Sequence, residues 1–124
     1  MPVANPFSSL HEVRTLLLLT RKRCCRCKRW LCGTPLTQAV IFAKKQYKDI
    51  LKPAVPSDVA IRSYSFLRAF VFNHCDFSTP GRIVASLAFF SFLVDRCEEK
   101  HPQFQICLNI ISETIWQAFH SGTE

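Results

Sequence analysis

The chain has 124 residues, 48% of them hydrophobic and eleven of them phenylalanine, which is enough apolar material for one domain with a buried core. Its longest apolar run, Ile83 to Val94, has twelve residues including two serines, fewer than the roughly 20 that a membrane-spanning helix needs. The net charge is +7, but six of the sixteen basic residues lie in the tract Arg21–Arg29, and the remaining ten face nine acidic residues. Only three glycines and little strand-like alternation predict that residues 1–124 form a single all-α domain.

The first predicted helix runs from Ser9 to about Thr20. Ser9 and Glu12 fit a capping box, in which each side chain satisfies a free backbone donor of the other residue. The basic tract Arg21–Arg29 either extends this helix or forms an exposed link to the next one. The chain has seven cysteines, an odd number, and no secretion-signal pattern, which favours a reducing intracellular compartment over a disulfide framework.

A second amphipathic helix starts at Thr34 and Pro35, because threonine caps a helix and proline is tolerated at its first position. We expect it to end near Pro53, since the residue before a proline is disfavoured in helical geometry. Its predicted apolar face consists of Leu36, Val40, Ala43, Tyr47 and Ile50, and the lysines Lys44, Lys45 and Lys48 are expected on other faces.

A third helical stretch is predicted from a cap at Ser57 to about Asn73, in one piece or two. Its polar stripe is narrow, and apolar residues occupy more of its surface than a helix with a single buried face needs. The crowded apolar residues are Tyr64, Phe66, Ala69, Phe70 and Phe72. This excess favours a partner-binding surface, since contiguous exposed apolar surface is expected where a partner binds.

The most apolar helix starts at Thr79 and Pro80 and is predicted to run to about Cys97, buried on all sides. A short turn and a last helix from about Gln103 to His120 complete an αα-hairpin. Arg82 lies in the first turn of the central helix, where the helix dipole disfavours a cation. A local rule broken in this way indicates a functional residue. The alternative is a surface ion pair, for example with Asp76.

The motif Gly81-Arg82-Ile83-Val84-Ala85 at the start of the central helix resembles the first homology region of the Bcl-2 family, the regulators of mitochondrial apoptosis. The resemblance continues without gaps to Phe89 and more loosely upstream, as far as Tyr47-Lys48-Asp49-Ile50. It implies a Bcl-2-like helical bundle around the central αα-hairpin. It also implies a hydrophobic groove that binds the BH3 helix of pro-apoptotic host proteins, with Arg82 pairing with an aspartate of the ligand.

The resemblance assigns the groove residue by residue. The residues implied to bind the ligand are Arg82, Gly81, Ala85 and Phe89 on the central helix, Ala43, Tyr47 and Ile50 on one wall, and Phe66, Ala69 and Phe70 on the other. The family's own BH3 signature is absent, since Leu36-Thr37 stands in place of its Gly-Asp pair. An inhibitor of apoptosis is therefore favoured over a pro-death member, with no cofactor and no metal.

The short chain without a membrane tail looks most like the Bcl-2 homologues of large DNA viruses, with the iridoviruses as one candidate source. The resemblance implies a host cytoplasmic location, with access to mitochondria through partners and without an integral membrane span. The helices that close the back of the family's groove have no counterpart here. We therefore expect exposed apolar surface and a homodimer.

The cysteine-rich basic tract supports an alternative hypothesis, a nucleic-acid- or zinc-binding regulatory protein. Cys24 and Cys27 form a C-x-x-C pair that could share zinc with Cys32 and a distant ligand such as Cys75 or His74, although a second ligand pair is lacking. The basic residues could neutralise nucleic-acid phosphates, act as a nuclear-import signal, tether the chain to an anionic membrane, or simply be solvated.

Catalysis finds little support in the sequence. Cys97 and His101 have the i, i+4 spacing of a thiolate–imidazole pair, but no orienting acid or oxyanion loop accompanies them. The sequence therefore predicts a protein that is not an enzyme.

Overall fold

The computed structural model describes residues 4–121, and within this range the chain forms seven α-helices and two short 3-10 helices, without a β-strand. The α-helices are α1 (Leu10–Thr20), α2 (Arg26–Cys32), α3 (Pro35–Gln46), α4 (Lys48–Leu51), α5 (Tyr64–His74), α6 (Pro80–Lys100) and α7 (Phe104–Ser121). The 3-10 helices are Lys52–Ala54 and Ala60–Arg62. The all-α prediction is confirmed.

Three helices, α1, α3 and α6, begin where the sequence places their caps. The hydroxyl of Ser9 accepts from the main-chain N–H of Glu12 at 3.3 Å, which starts α1. Thr34 and Thr79 start α3 and α6 in the same way, each followed by a proline in the first turn. Because each cap satisfies a donor that the helix itself leaves free, these starts are set by local sequence.

The third helical stretch consists of two pieces. The hydroxyl of Ser57 accepts from the N–H of Ala60 at 3.3 Å, and only the 3-10 helix Ala60–Arg62 follows it. Ser63 then caps α5, with its hydroxyl accepting from the N–H of Phe66 at 3.3 Å. Of the two arrangements left open by the sequence, the broken one is confirmed.

The predicted second helix is interrupted at Tyr47, so the single helix reaching Pro53 is wrong. Tyr47 has φ −109° and ψ 18°, outside helical geometry, and it serves as both the end of α3 and the start of α4. Its carbonyl then accepts from the N–H groups of Ile50 and Leu51. Tyr47 and Ile50 therefore do not continue the apolar face on which Val40 and Ala43 lie.

Helix α6 is the centre of the molecule. It packs against α3, α7 and α1, and α5 packs mainly against α7. Eleven of its 21 residues are buried, among them Phe90 and Leu93, which have no exposed surface. Each fully buried side chain of this size contributes about 1.5–3 kcal/mol, so the apolar run that predicts this helix also supplies much of the core energy. No helix within residues 4–121 has both the length and the hydropathy needed to cross a membrane.

Lys44 is buried, although the sequence pattern places it away from the core. Its ammonium group donates to the carboxylate of Asp95 at 2.7 Å, the hydroxyl of Ser91 at 3.0 Å and the main-chain oxygen of Thr20 at 3.1 Å. It also lies 4.7 Å from the ring centre of Phe92. All three donors of the ammonium group are used, and they join α1, α3 and α6.

His101 ends α6 as a buried side chain stacked on Tyr64, with ring centres 5.6 Å apart. Its Nδ1 accepts from the N–H of Gln103 at 2.9 Å, which requires an unprotonated Nδ1. Burial, and to a lesser degree the charge of Arg62, lowers the pKa of His101 below its ordinary value of 6.5. The ring is therefore neutral in the folded protein near neutral pH.

We expect the protein to lose stability on acidification because of His101. The unfolded chain protonates this histidine more readily than the folded one. The free energy of unfolding should therefore rise with pH between the lowered pKa of the folded protein and the ordinary value of about 6.5, and fall as the pH is lowered through the same window. His101→Gln should flatten this dependence in urea unfolding between about pH 5 and pH 7. The exposed His11→Gln is the control, and equal pH slopes in both variants would contradict the assignment.

Candidate functional site

The start of α6 presents an open stripe formed by two small residues and one arginine. Gly81, Arg82 and Ala85 are exposed, whereas the core side of the same two turns is closed by the buried Ile83 and Ser86. A Cβ added at Gly81 would meet nothing within 4 Å, so the space beside the stripe is empty. The arrangement leaves room for another chain to approach the backbone of α6 closely.

Arg82 forms the surface ion pair that the sequence offered as an alternative. Its guanidinium donates to Asp76 Oδ2 at 3.4 Å and to Ser78 Oγ at 3.2 Å, and 63% of the side chain is exposed. Hydrogen bonds from the hydroxyl and the N–H of Ser78 lower the pKa of Asp76, and the charge of Arg82 adds a smaller effect. An exposed pair at this distance contributes little to stability, so a carboxylate on a partner could replace Asp76.

Aromatic side chains of α5 meet the continuation of this stripe at Phe89. The rings of Phe70 and Phe89 are 5.8 Å apart, and Phe66 stacks on Phe70 at 5.7 Å. His74 joins the group, 4.1 Å from Phe70 and 5.8 Å from Phe89. We call Phe66, Phe70, His74 and Phe89 the aromatic cluster. Phe66 is 40% exposed and Phe89 is buried, so the cluster extends from the surface into the core.

Sequence reasoning did not assign His74 to this site. The signal that could have found it is its position four residues after Phe70 and eight after Phe66, on one face of α5. Its Nδ1 donates to the main-chain oxygen of Phe70 at 2.8 Å, which fixes the ring against the two phenylalanines. Ala69, which the resemblance also implies, lies exposed on the same helix.

The groove wall implied for Ala43, Tyr47 and Ile50 is only partly formed. Ala43 is 5% exposed and packs in the core, so a ligand could not reach it in this arrangement. Tyr47 and Ile50 are 42% and 71% exposed, beyond the interruption that separates α3 from α4. Within the described part of the chain, neither side chain makes a ring contact or hydrogen bond with the aromatic cluster. The structure therefore unites the α5 and α6 residues of the predicted site but leaves Tyr47 and Ile50 apart from them.

Comparison with known proteins identifies the family of this chain. The sequence profile described as adenovirus E1B 19K protein / small t-antigen matches residues 1–123. The chain belongs to the adenovirus E1B 19K family. No solved structure matches the chain.

Individual members of the E1B 19K family are similar over most of their length. The E1B protein, small T-antigen, of human adenovirus F serotype 40 is 30% identical over 124 residues, covering 94% of this chain and 74% of the relative. That of human adenovirus F serotype 41 is 28% identical over 120 residues, covering 91% and 71%. That of simian adenovirus serotype 7 is 31% identical over 126 residues, covering 94% and 69%. The expected viral assignment is confirmed, and these relatives come from adenoviruses rather than iridoviruses.

The basic tract of this E1B 19K family member is folded onto the helices. Arg29 donates to the main-chain oxygens of Leu19 at 2.8 Å and Arg21 at 2.6 Å, which caps the end of α1. Arg21 pairs with Glu98 on α6 at 3.3 Å. The first half of the tract is the largely exposed link that the sequence offered as one alternative, and its second half begins the separate helix α2. Arg21 and Arg29 are held by these contacts, whereas the other basic residues of the tract, Lys22, Arg23, Arg26 and Lys28, are exposed.

The predicted cysteine chemistry is not assembled in the described residues. Between residues 4 and 121, no three histidine, cysteine or acidic side chains come close enough to hold a metal ion. Burial raises the pKa of the Cys75 and Cys97 thiols to about 12, which keeps both protonated at neutral pH. A thiolate is needed for nucleophilic attack, so neither thiol is activated as a nucleophile.

Proposed function

We propose that this protein inhibits apoptosis of the host cell by binding the BH3 helix of pro-apoptotic Bcl-2 proteins. The observation that carries the proposal is the open stripe Gly81, Arg82 and Ala85, which leads directly to the aromatic cluster. An amphipathic helix needs this combination, because small residues admit its backbone and aromatic residues receive its apolar anchors. Membership of a viral family and the Bcl-2-like motif at Gly81–Ala85 support the same function.

Binding would replace one ion pair by another. The ligand's aspartate takes the place of Asp76 beside Arg82, while apolar side chains of the ligand cover Phe66 and Phe70. Since Arg82 is already held near the stripe by Ser78 and Asp76, little side-chain freedom is lost when the ligand arrives. The mechanism is competition for BH3 helices in the host cytoplasm, with access to mitochondria through the bound partners. No catalytic step is involved.

The test is calorimetric titration of the protein with a panel of BH3 peptides. We expect submicromolar binding of at least one peptide, and a loss of about tenfold or more in Arg82→Ala, equivalent to roughly 1.4 kcal/mol or more. Arg26→Ala on α2, exposed and remote from the stripe, is the matched control and should bind normally. Absence of binding by every peptide, or equal losses in the two variants, would exclude the proposed groove.

We also propose that the protein forms a homodimer. Large apolar side chains are exposed along α3 and α4, with Phe42 at 66% and Ile50 at 71%. Large exposed apolar residues on two consecutive helices favour burial against a second copy. Sedimentation at micromolar concentration without peptide should give a dimer, and Phe42→Ser combined with Ile50→Ser should shift it towards monomer. A monomeric parent protein would refute this.

A further inference from the structure

A pocket of about 340 Å³ lies beside the C-terminal half of α6, bounded by α3, α4 and the basic tract. Ile41, Val55 and Phe92 supply apolar lining. Seven lysine or arginine side chains line the rest, against only two carboxylates, those of Asp95 and Glu99. None of the lining residues belongs to the proposed BH3 site, so this is a separate feature of the molecule.

Three of the seven cations are held by groups of the protein. Lys44 pairs with Asp95 at 2.7 Å, and Arg96 pairs with Asp58 at 3.2 Å. Arg29 donates to two main-chain oxygens at the end of α1. These contacts hold three side chains of the pocket in place. Because Asp95 is paired with Lys44, its carboxylate does not neutralise the other cations.

The other four cations, Lys22, Lys45, Lys48 and Lys52, have no such partners. Within residues 4–121 their ammonium groups make neither a hydrogen bond nor an ion pair, and the Glu99 carboxylate makes no ion pair. Four uncompensated ammonium groups around one concavity, with one free carboxylate, produce a strongly positive local potential. All four side chains are exposed, so their ammonium groups are free to contact an anion that enters the pocket.

We propose that this pocket binds a small molecule that carries several phosphate groups. The volume lies within the range of small-ligand pockets, and lysine is well suited to phosphate because its ammonium is a point charge on a flexible stem. Four separate ammonium groups match several phosphates better than one. The apolar lining of Ile41, Val55 and Phe92 would contact the carbon frame of the ligand. A nucleic-acid strand would instead need a charged groove that follows several consecutive nucleotides.

The experiment is calorimetric titration with inositol hexakisphosphate at physiological salt. We expect saturable binding, weakened by about tenfold or more in Lys45→Glu combined with Lys48→Glu, because two phosphate contacts become repulsive. Arg26→Glu combined with Arg68→Glu changes the net charge equally, at exposed sites outside the pocket, and should weaken binding less than about threefold. Lys22→Glu with Lys52→Glu provides a second pocket variant, and thermal unfolding verifies that all variants fold.

Two further arms identify the source of the phosphates. Binding to phosphatidylcholine vesicles that contain phosphatidylinositol 4,5-bisphosphate, but not to phosphatidylserine vesicles of equal charge, indicates a lipid head group. Binding of free inositol hexakisphosphate alone indicates a soluble ligand, and either result supports the pocket. The proposal is overturned if no saturable binding occurs or if the pocket and control variants weaken equally. Tighter binding of a short DNA strand, lost equally in both variants, would overturn it too.

Discussion

Lys44→Ala is expected to lower the free energy of unfolding by about 3 kcal/mol, the largest effect among single substitutions at lysine in this protein. The substitution leaves the half-buried carboxylate of Asp95 without its cation and removes the bonds to Ser91 and Thr20. Burial lowers the pKa of Lys44, opposed by Asp95, so the ammonium depends on this partner to remain charged in the core. Urea unfolding monitored by circular dichroism measures the loss.

The neighbouring Lys45 provides the matched control for this prediction. It is exposed, and Lys45→Ala should change the free energy of unfolding by no more than about 0.5 kcal/mol. Combining Lys44→Met with Asp95→Leu should cost less than the two single changes added together, because neither charge is then left alone. A loss below about 1 kcal/mol in Lys44→Ala would mean that the three bonds do not hold the helices together.

Ala85→Arg is expected to weaken BH3 peptide binding by about 100-fold, or roughly 2.8 kcal/mol, while leaving the fold intact. Ala85 is exposed in the middle of the open stripe, so a long charged side chain there would occupy the space that the ligand backbone needs. Arginine is almost as good a helix former as alanine, and the free protein should therefore unfold at nearly the same temperature. Peptide titration and thermal unfolding of the same sample separate the two effects.

Gln117→Arg on α7 is the control for this experiment. It adds the same charge at an exposed position on a different helix and should leave peptide affinity unchanged. If Ala85→Arg bound BH3 peptides as tightly as the parent protein, the stripe would not be the ligand's path. If both variants weakened equally, the effect would come from net charge alone.

Much of the local structure could be predicted from short-range patterns. Thr34, Thr79 and their following prolines mark helix starts because the capping bond joins residues three positions apart. The apolar run from Ile83 predicts a buried helix because only the centre of a bundle can hold so much apolar surface. Even the aromatic cluster is partly visible, since Phe66 and Phe70 share one face of their helix.

The interruption at Tyr47 could not be predicted from such short-range patterns. The residues from Leu36 to Ile50 have helical periodicity, and a proline is not reached until Pro53. The backbone nevertheless leaves helical geometry at Tyr47, so Ala43 enters the core while Ile50 remains on the surface. Periodicity gives the spacing of apolar residues, but it does not reveal a residue between them that leaves helical geometry.

The helical class and the starts of α1, α3 and α6 could be derived from sequence alone, because they depend on contacts within a few residues of one another. The environments of Lys44, Arg82 and Phe89 depend on the folded arrangement of the helices. Lys44 meets Asp95 across 51 positions of the chain, and Phe70 meets Phe89 across a helix boundary. Whether a lysine lies in the core or in solvent depends on which distant carboxylate folding brings to it, and no local pattern contains that information.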